Sequence, residues 1–208
     1  QKVALVEKDW MGGDCTWTGC VPSKALVKSA KVAHEIRNAQ RYGVGPAGPM
    51  IDIRTVLAHV HSVVEQVYQP ESPDALRAEG VDVYLEQAIF IDPHTLMVGD
   101  ATLSVCRFII ATGARPIIPP IDGLDTVECM TYESIWDLAT LLRQLTVIGG
   151  PIGCELAQAL CRLGPGVTVL EDAPRILLQE EPEASELVQR QMAEDGVVFR
   201  LNSQARHI

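Results

Sequence analysis

Leu145-Thr146-Val147-Ile148-Gly149-Gly150-Pro151-Ile152-Gly153-Cys154-Glu155-Leu156-Ala157, followed by Val167-Thr168-Val169-Leu170-Glu171, is the stretch that decides the fold. The first apolar run reads as a strand buried on both faces. A glycine turn follows, then a helix predicted over 152–163, then a second apolar strand that closes on an acid. That order is a βαβ unit, whose two strands lie parallel. Glu183 to Asp195 reads as an amphipathic helix and Val197 to Leu201 as the next strand, so the alternation continues.

The same pattern opens the chain. Val3-Ala4-Leu5-Val6-Glu7 is again an apolar strand closed by a carboxylate. In dinucleotide-binding folds such an acid accepts hydrogen bonds from the adenosine ribose hydroxyls. Two such strands imply two dinucleotide sites in one chain. Between them, Leu26, Ala30, Ala33 and Ile36 recur at helical spacing from Pro22 to about Arg41, Tyr42 to Met50 is a Gly/Pro loop, and residues 52–68 resume a helical pattern. Val81 to Leu85 reads as a strand. Ala88 to Ile91, Thr95 to Val98 and Leu103 to Val105 read as a small antiparallel sheet, with Asp92-Pro93 and Gly99-Asp100 at its turns. Arg107 to Ala111 is a further predicted strand, ending at Thr112-Gly113. The prolines of residues 114–124 mark a linker and divide the chain into 1–125 and 126–208. The fold class expected is α/β.

The 208 residues carry 17 Lys+Arg against 27 Asp+Glu, a net charge of −10, with 47% hydrophobic residues. That composition is ordinary for a globular protein. Its acidity argues against a nucleic-acid partner or a membrane surface. Neither a long apolar span nor a leader pattern is read, so a cytoplasmic location is expected. Six cysteines are too few for a disulfide scaffold. Cys106, Cys129, Cys154 and Cys161 sit in apolar or helical surroundings and read as small buried hydrophobes.

Cys15 and Cys20 are different. Four residues separate them in Gly12-Gly13-Asp14-Cys15-Thr16-Trp17-Thr18-Gly19-Cys20-Val21-Pro22-Ser23-Lys24. Cys20 falls at the start of a helix, where unpaired N–H groups and the dipole favour a thiolate. Lys24 follows at i+4, on the same side of the first turn. A redox dithiol needs a low-pKa thiolate, a partner thiol and a nearby cation. The competing readings are half of a zinc site and two inert thiols. No second Cys or Cys/His pair has zinc-ligand spacing, so no metal is assigned.

Residues 12–26 closely resemble the active-site segment of the class I pyridine nucleotide–disulfide oxidoreductases, which include dihydrolipoyl dehydrogenase, glutathione reductase and mercuric reductase. Ala111-Thr112-Gly113-Ala114-Arg115-Pro116 resembles the family's second FAD contact, and Ile148 to Ala157 its NAD(P) loop and helix. The resemblance implies a Rossmann-like FAD domain followed by part of an NAD(P) domain. It implies that Cys20 lies against the flavin and accepts its electrons, and that Cys15 is the interchange thiol that attacks the substrate. Lys24 would sit near flavin N5, paired with Glu155. Glu7 would hold the FAD ribose, Gly13 and Asp14 would pass the pyrophosphate, Ala88 would meet the adenine through its backbone, and Thr112 and Gly113 would complete the cradle. Gly149, Gly150, Gly153 and Glu171 would serve NAD(P), with the acid favouring NAD because it would repel a 2′-phosphate. The implied substrate is a small disulfide or mercuric ion, Trp17 leaning toward the mercuric-reductase-like branch. The implied assembly is a homodimer.

Three departures from that pattern stand out. No Gly-x-Gly-x-x-Gly loop precedes Val3. The NAD(P) loop is one glycine short, and Pro151 has no N–H to offer. The family's dimerisation domain, with its His–Glu pair, has no counterpart, and His34, His59, His61, His94 and His207 read as surface or helix-face residues. The chain is therefore expected to be a fragment truncated at both ends, with a non-catalytic remnant that binds no FAD as the alternative.

Overall fold

A computed structural model describes residues 2–45 and 47–208. Pro46, within the expected Tyr42–Met50 loop, lies outside the described residues. The chain forms two compact units, residues 1–21 with 62–115 and residues 22–61 with 116–208.

In the first unit, β1 (Val3–Val6) pairs in parallel with β2 (Val81–Tyr84), Val3 opposite Val81 and Val6 opposite Tyr84. Two parallel strands need a long crossover between them, and the chain between 7 and 80 supplies it. A short helix, α1 (Gly13–Trp17), follows β1. Another, α4 (Pro73–Ala78), precedes β2. Its start is set by Ser72, whose hydroxyl accepts the Ala75 N–H at 3.3 Å, with Pro73 in the first turn where its missing N–H costs nothing. The antiparallel sheet is β3 (Ala88–Asp92), β4 (Thr95–Val98) and β5 (Ala101–Ser104), in that order. Asp92 Oδ1 accepts the His94 N–H at 2.7 Å and shapes the first turn. Gly99, at φ 55°, makes the second. Leu96 and Val98 of β4 are buried.

The Arg107–Ala111 strand is not formed. These residues lie outside any ladder, and Ile109 is 95% exposed. A strand exists only through its partners' hydrogen bonds, and no described strand pairs with this one. Phe108 instead packs edge-on against Phe90, ring centroids 4.9 Å apart.

In the second unit, β6 (Gln144–Ile148), β7 (Gly166–Leu170) and β8 (Val198–Arg200) form a parallel sheet with β7 in the middle. That is half of a doubly wound Rossmann-like sheet. Helix α5 (Gly150–Leu163) joins β6 to β7 and packs on β7, and α6 (Pro182–Glu194) leads to β8. Ala157, Leu160, Leu163, Val167, Val169, Ile176 and Met192 are buried. Helix α2 (Cys20–Arg37) buries Leu26, Ala30 and Ala33. It starts two residues before the expected Pro22, since proline is tolerated in a first turn. It ends at Arg37, and after a 3-10 turn the chain breaks at Gly43, φ 76°. Helix α3 (Ile53–Tyr68) buries Ile53, Leu57, Val60 and Val64 at i, i+4, i+7 and i+11.

Asp195, just past α6, is a buried carboxylate with its side chain 1% exposed. Arg162 donates to it through Nε at 3.0 Å and Nη2 at 2.7 Å, and Gln158 at 2.6 Å. His34 Nδ1 lies 3.1 Å from its other oxygen, off hydrogen-bonding geometry. Of the four cysteines expected to be buried, only Cys154 is. Cys161 is half-buried, with its thiol donating to the Asp195 carbonyl, and Cys106 and Cys129 are exposed. Both exposed thiols lie outside any helix or strand.

Candidate active site

Gly12 (φ 90°) and Gly13 (φ 60°) turn the chain out of β1 into α1 in conformations that only glycine adopts easily. A Cβ on Gly12 would stand 2.7 Å from Glu71 Oε2. That carboxylate accepts the hydroxyl of Thr16, which is buried within α1, at 2.7 Å. Trp17 donates its indole N–H to the Met11 carbonyl at 2.7 Å. Its ring meets Trp10 and Tyr68, centroids 5.1 and 4.8 Å away. The short helix is thus fixed on one side by a hydrogen bond to a carboxylate and on another by an aromatic stack. None of this was readable in advance, because Thr16 and Glu71 are 55 positions apart.

With α1 fixed, Cys15 points outward, and both Cys15 and Cys20 are exposed. They are hydrogen-bonded to each other, thiol to thiol, and the Cys20 backbone N–H also reaches the Cys15 sulfur. The thiol–thiol bond holds the Cys15 proton in place and pushes that thiol above its usual range. Partial burial and the Asp14 charge act in the same direction, and the backbone N–H opposes them.

Lys24, on α2, has its Nζ 2.5 Å from Glu155 Oε1 on α5. The pair is largely open, at 64% and 33% side-chain exposure. It links two helices whose sequence positions differ by 131.

The loop between β6 and α5 has Gly149 at φ 57° and Gly150 at φ 76°. The Gly149 N–H bonds to the Leu170 carbonyl at 3.2 Å. A Cβ on Gly153 would lie 3.0 Å from Val147 Cγ1, so this glycine lets the helix approach the strand. Helix α5 has no acid in its first turn. Its free N–H groups and dipole suit a phosphate, although Pro151 contributes no donor. Glu171 stands beyond β7, with Oε2 3.8 Å from where a Gly149 Cβ would be. Its Oε1 accepts the Ala173 N–H at 3.2 Å. Burial, and then the charge of Glu171, push the Cys154 thiol upward. The residues here fit a dinucleotide.

The fit for FAD is partial. Glu7 stands beyond β1 with Oε1 accepting the Asp9 N–H at 2.9 Å, as Glu171 does beyond β7. The dithiol is formed. Asp14, however, turns its carboxylate to the Thr18 hydroxyl. Ala88 opens β3, paired with Val98. Thr112 and Gly113 are exposed and outside any strand, Gly113 at φ 71°. Glu7 and the Cys15–Cys20 pair are the features of this unit that suit FAD.

The family model described as pyridine nucleotide-disulphide oxidoreductase matches residues 1–208. The mercuric reductase of Lysinibacillus sphaericus is 32% identical over 197 residues, covering 94% of this chain and 36% of the relative. A dihydrolipoyl dehydrogenase of Bacillus subtilis (strain 168) is 30% identical over 210 residues, covering 98% of this chain and 46% of its own. Among solved structures, the HOCl-induced flavoprotein disulfide reductase RclA from Escherichia coli superposes with a TM-score of 0.81 at 27% identity, over 100% of this chain and 45% of that one. The chain therefore spans between about a third and a half of the length of these relatives. Among the described residues no helix is long and apolar enough to cross a membrane.

Proposed function

Because the chain belongs to the pyridine nucleotide-disulphide oxidoreductase family, we propose that it carries the dithiol and part of the nicotinamide site of a FAD-dependent NAD(P)H:disulfide oxidoreductase. The observation that supports this best is the thiol-to-thiol hydrogen bond between Cys15 and Cys20 at the start of α2.

The chemistry assigned to these residues is thiol–disulfide exchange. The Cys15 thiolate attacks one sulfur of a substrate disulfide, forms a mixed disulfide and releases the first thiol. The Cys20 thiolate then attacks the Cys15 sulfur, and the second thiol leaves. The protein is left with a Cys15–Cys20 disulfide. FAD, when bound, supplies the electron pair that reopens that disulfide, drawn from the nicotinamide. Lys24 and Glu155 hold a charged pair beside the redox helix. Glu7 serves the FAD ribose, Gly13 its pyrophosphate, and Ala88, Thr112 and Gly113 the rest of the cradle. Asp14, whose carboxylate accepts the Thr18 hydroxyl, passes the pyrophosphate beside Gly13. Gly149, Gly150 and Gly153 serve the second dinucleotide. Glu171 favours NAD, since a 2′-phosphate beside it would meet a like charge. The functional division is into 1–125 for the flavin and 126–208 for the nicotinamide. In the complete protein the substrate is a small disulfide or mercuric ion, and the assembly a homodimer.

The test uses the complete, FAD-loaded protein. Cys15→Ser and Cys20→Ser each abolish disulfide reduction while the flavin stays bound; turnover retained in both overturns the assignment. A second reading, a module without turnover, is favoured by one observation: Thr112 and Gly113 are exposed and outside any strand where a flavin contact was expected. The two readings separate on the colour of the purified 208-residue chain supplied with FAD. Retained flavin absorbance supports the first and a colourless protein the second.

A further inference from the structure

Cys15 and Cys20 are separated by Thr16-Trp17-Thr18-Gly19, and that loop is closed on Asp14. The Asp14 carbonyl accepts two N–H groups, from Thr18 at 3.0 Å and from Gly19 at 2.7 Å. The Thr18 hydroxyl crosses the same turn and donates to Asp14 Oδ1 at 2.5 Å. The turn has little spare room, since a Cβ on Gly19 would stand 3.1 Å from the Asp14 carbonyl oxygen and 3.4 Å from the Cys15 Cα. A displacement at Thr18 is therefore passed to Cys15.

We propose that Asp14 and Thr18 are positioning residues for the dithiol, their side chains forming a clasp that sets how readily Cys15 and Cys20 close into a disulfide. The proposal rests on the dithiol reading given above. Its physical basis is geometric. A disulfide requires the two Cα atoms about 4.4–6.8 Å apart with a defined torsion. A loop held in that geometry before reaction loses less freedom on closing than a loose one. A hydrogen bond to a carboxylate is stronger than one between neutral groups, so one side-chain contact can hold a turn this short. Asp14 also carries a charge next to the nucleophile. That charge makes the Cys15 thiolate harder to form, and the clasp keeps it there.

The experiment equilibrates the 208-residue chain with glutathione buffers, traps free thiols by alkylation and maps the Cys15–Cys20 peptides by mass. The exchange is balanced: two protein thiols become one disulfide while glutathione disulfide becomes two glutathione thiols. Thr18→Val removes the donor and keeps the charge. It lowers the closure equilibrium constant by roughly three- to tenfold, and Thr18→Ser restores it. Asp14→Asn keeps an acceptor and removes the charge. It shifts the equilibrium less, and raises the rate of Cys15 alkylation at pH 7 by about twofold or more. That gain shrinks in 1 M salt, where the Debye length is about 3 Å, which a purely structural role does not explain. If the wild-type chain forms no Cys15–Cys20 disulfide at any glutathione ratio, the dithiol reading fails and the proposal with it. If the wild type closes normally and Thr18→Val closes within twofold of it, the proposal alone is overturned.

Discussion

Val3-Ala4-Leu5-Val6-Glu7 and Val167-Thr168-Val169-Leu170-Glu171 are two versions of one local pattern, and the structure carries the likeness to the atoms. In both, the N–H of the terminal acid extends the ladder to the neighbouring parallel strand, Glu7 to Tyr84 and Glu171 to Arg200. In both, the carboxylate then accepts the N–H two residues on. They differ in company. β7 lies between β6 and β8 and is covered by α5, whereas β1 has β2 alone as its strand neighbour among the described residues. Val167 is 1% exposed and Val3, its counterpart, is 55% exposed. The local pattern fixes the turn at the strand's end. Burial, and with it most of the stability, comes from strands and helices elsewhere in the chain.

The largest test of that contrast is Arg162→Ala. Arg162 belongs to α5, the helix that covers β7, and it neutralises the buried Asp195. Removing one member of a buried pair strands the other's charge, at a cost of about 3–5 kcal/mol. Urea unfolding followed by circular dichroism measures it. A cost near zero means that the Asp195 site relaxes to water, and that the β7 unit is looser than its packing implies.

A sharper test makes one substitution in both copies of the pattern. Val167→Ala deletes two buried methyl groups and leaves a void, costing about 1.5–3 kcal/mol. Val3→Ala acts at an open position and stays within about 0.5 kcal/mol. Equal losses from the two variants break the comparison. They would mean that β1 is covered in solution by something outside the described residues.

The thiols give a test by pH. Cys154 lies behind the glycine loop, and burial and Glu171 both hold its proton on. Its thiolate therefore forms only above the usual thiol range, and at pH 8.5 alkylation modifies Cys106 and Cys129 while sparing Cys154. Because the raised thiol stays neutral in the folded chain, its contribution to stability is complete below the ordinary thiol pKa. It is lost as pH climbs from there through the folded value. Equal labelling of Cys154 and Cys106, read by peptide mass, shows that α5 opens on the timescale of the reaction.

The same contrast explains what the sequence made readable. Strand, glycine turn, helix and acid around Gly149 to Glu171 are encoded within one short stretch, so their order and parallel pairing could be read directly. The Arg107–Ala111 segment has an equally good strand composition and forms none, because a strand needs an edge to join and composition carries no record of whether one is present. The two cysteines at the start of a helix could be placed from the sequence, but the contacts that fix their turn could not. Thr16 to Glu71 and Trp17 to Tyr68 are long-range contacts between ordinary residue types, with no periodicity to announce them. The resemblance has Asp14 passing the pyrophosphate; the bond its carboxylate accepts from the Thr18 hydroxyl, four residues on, is one that helical spacing allows.

The smallest expected effect belongs to Lys24 and Glu155. Both side chains are partly open to water, and an ion pair of that kind contributes about 0–1 kcal/mol. Glu155→Gln should therefore leave the urea midpoint almost unchanged. Added salt should erase whatever difference there is, since open charges are screened over about 10 Å at 0.1 M. If the pair matters, it matters through charge placed beside the redox helix, and the sensitive readout is the rate at which Cys20 is alkylated. A change in that rate with stability unmoved assigns the pair to the dithiol. A loss of stability well above 1 kcal/mol makes it a structural tie between α2 and α5, and removes it from the list of groups that serve electron transfer.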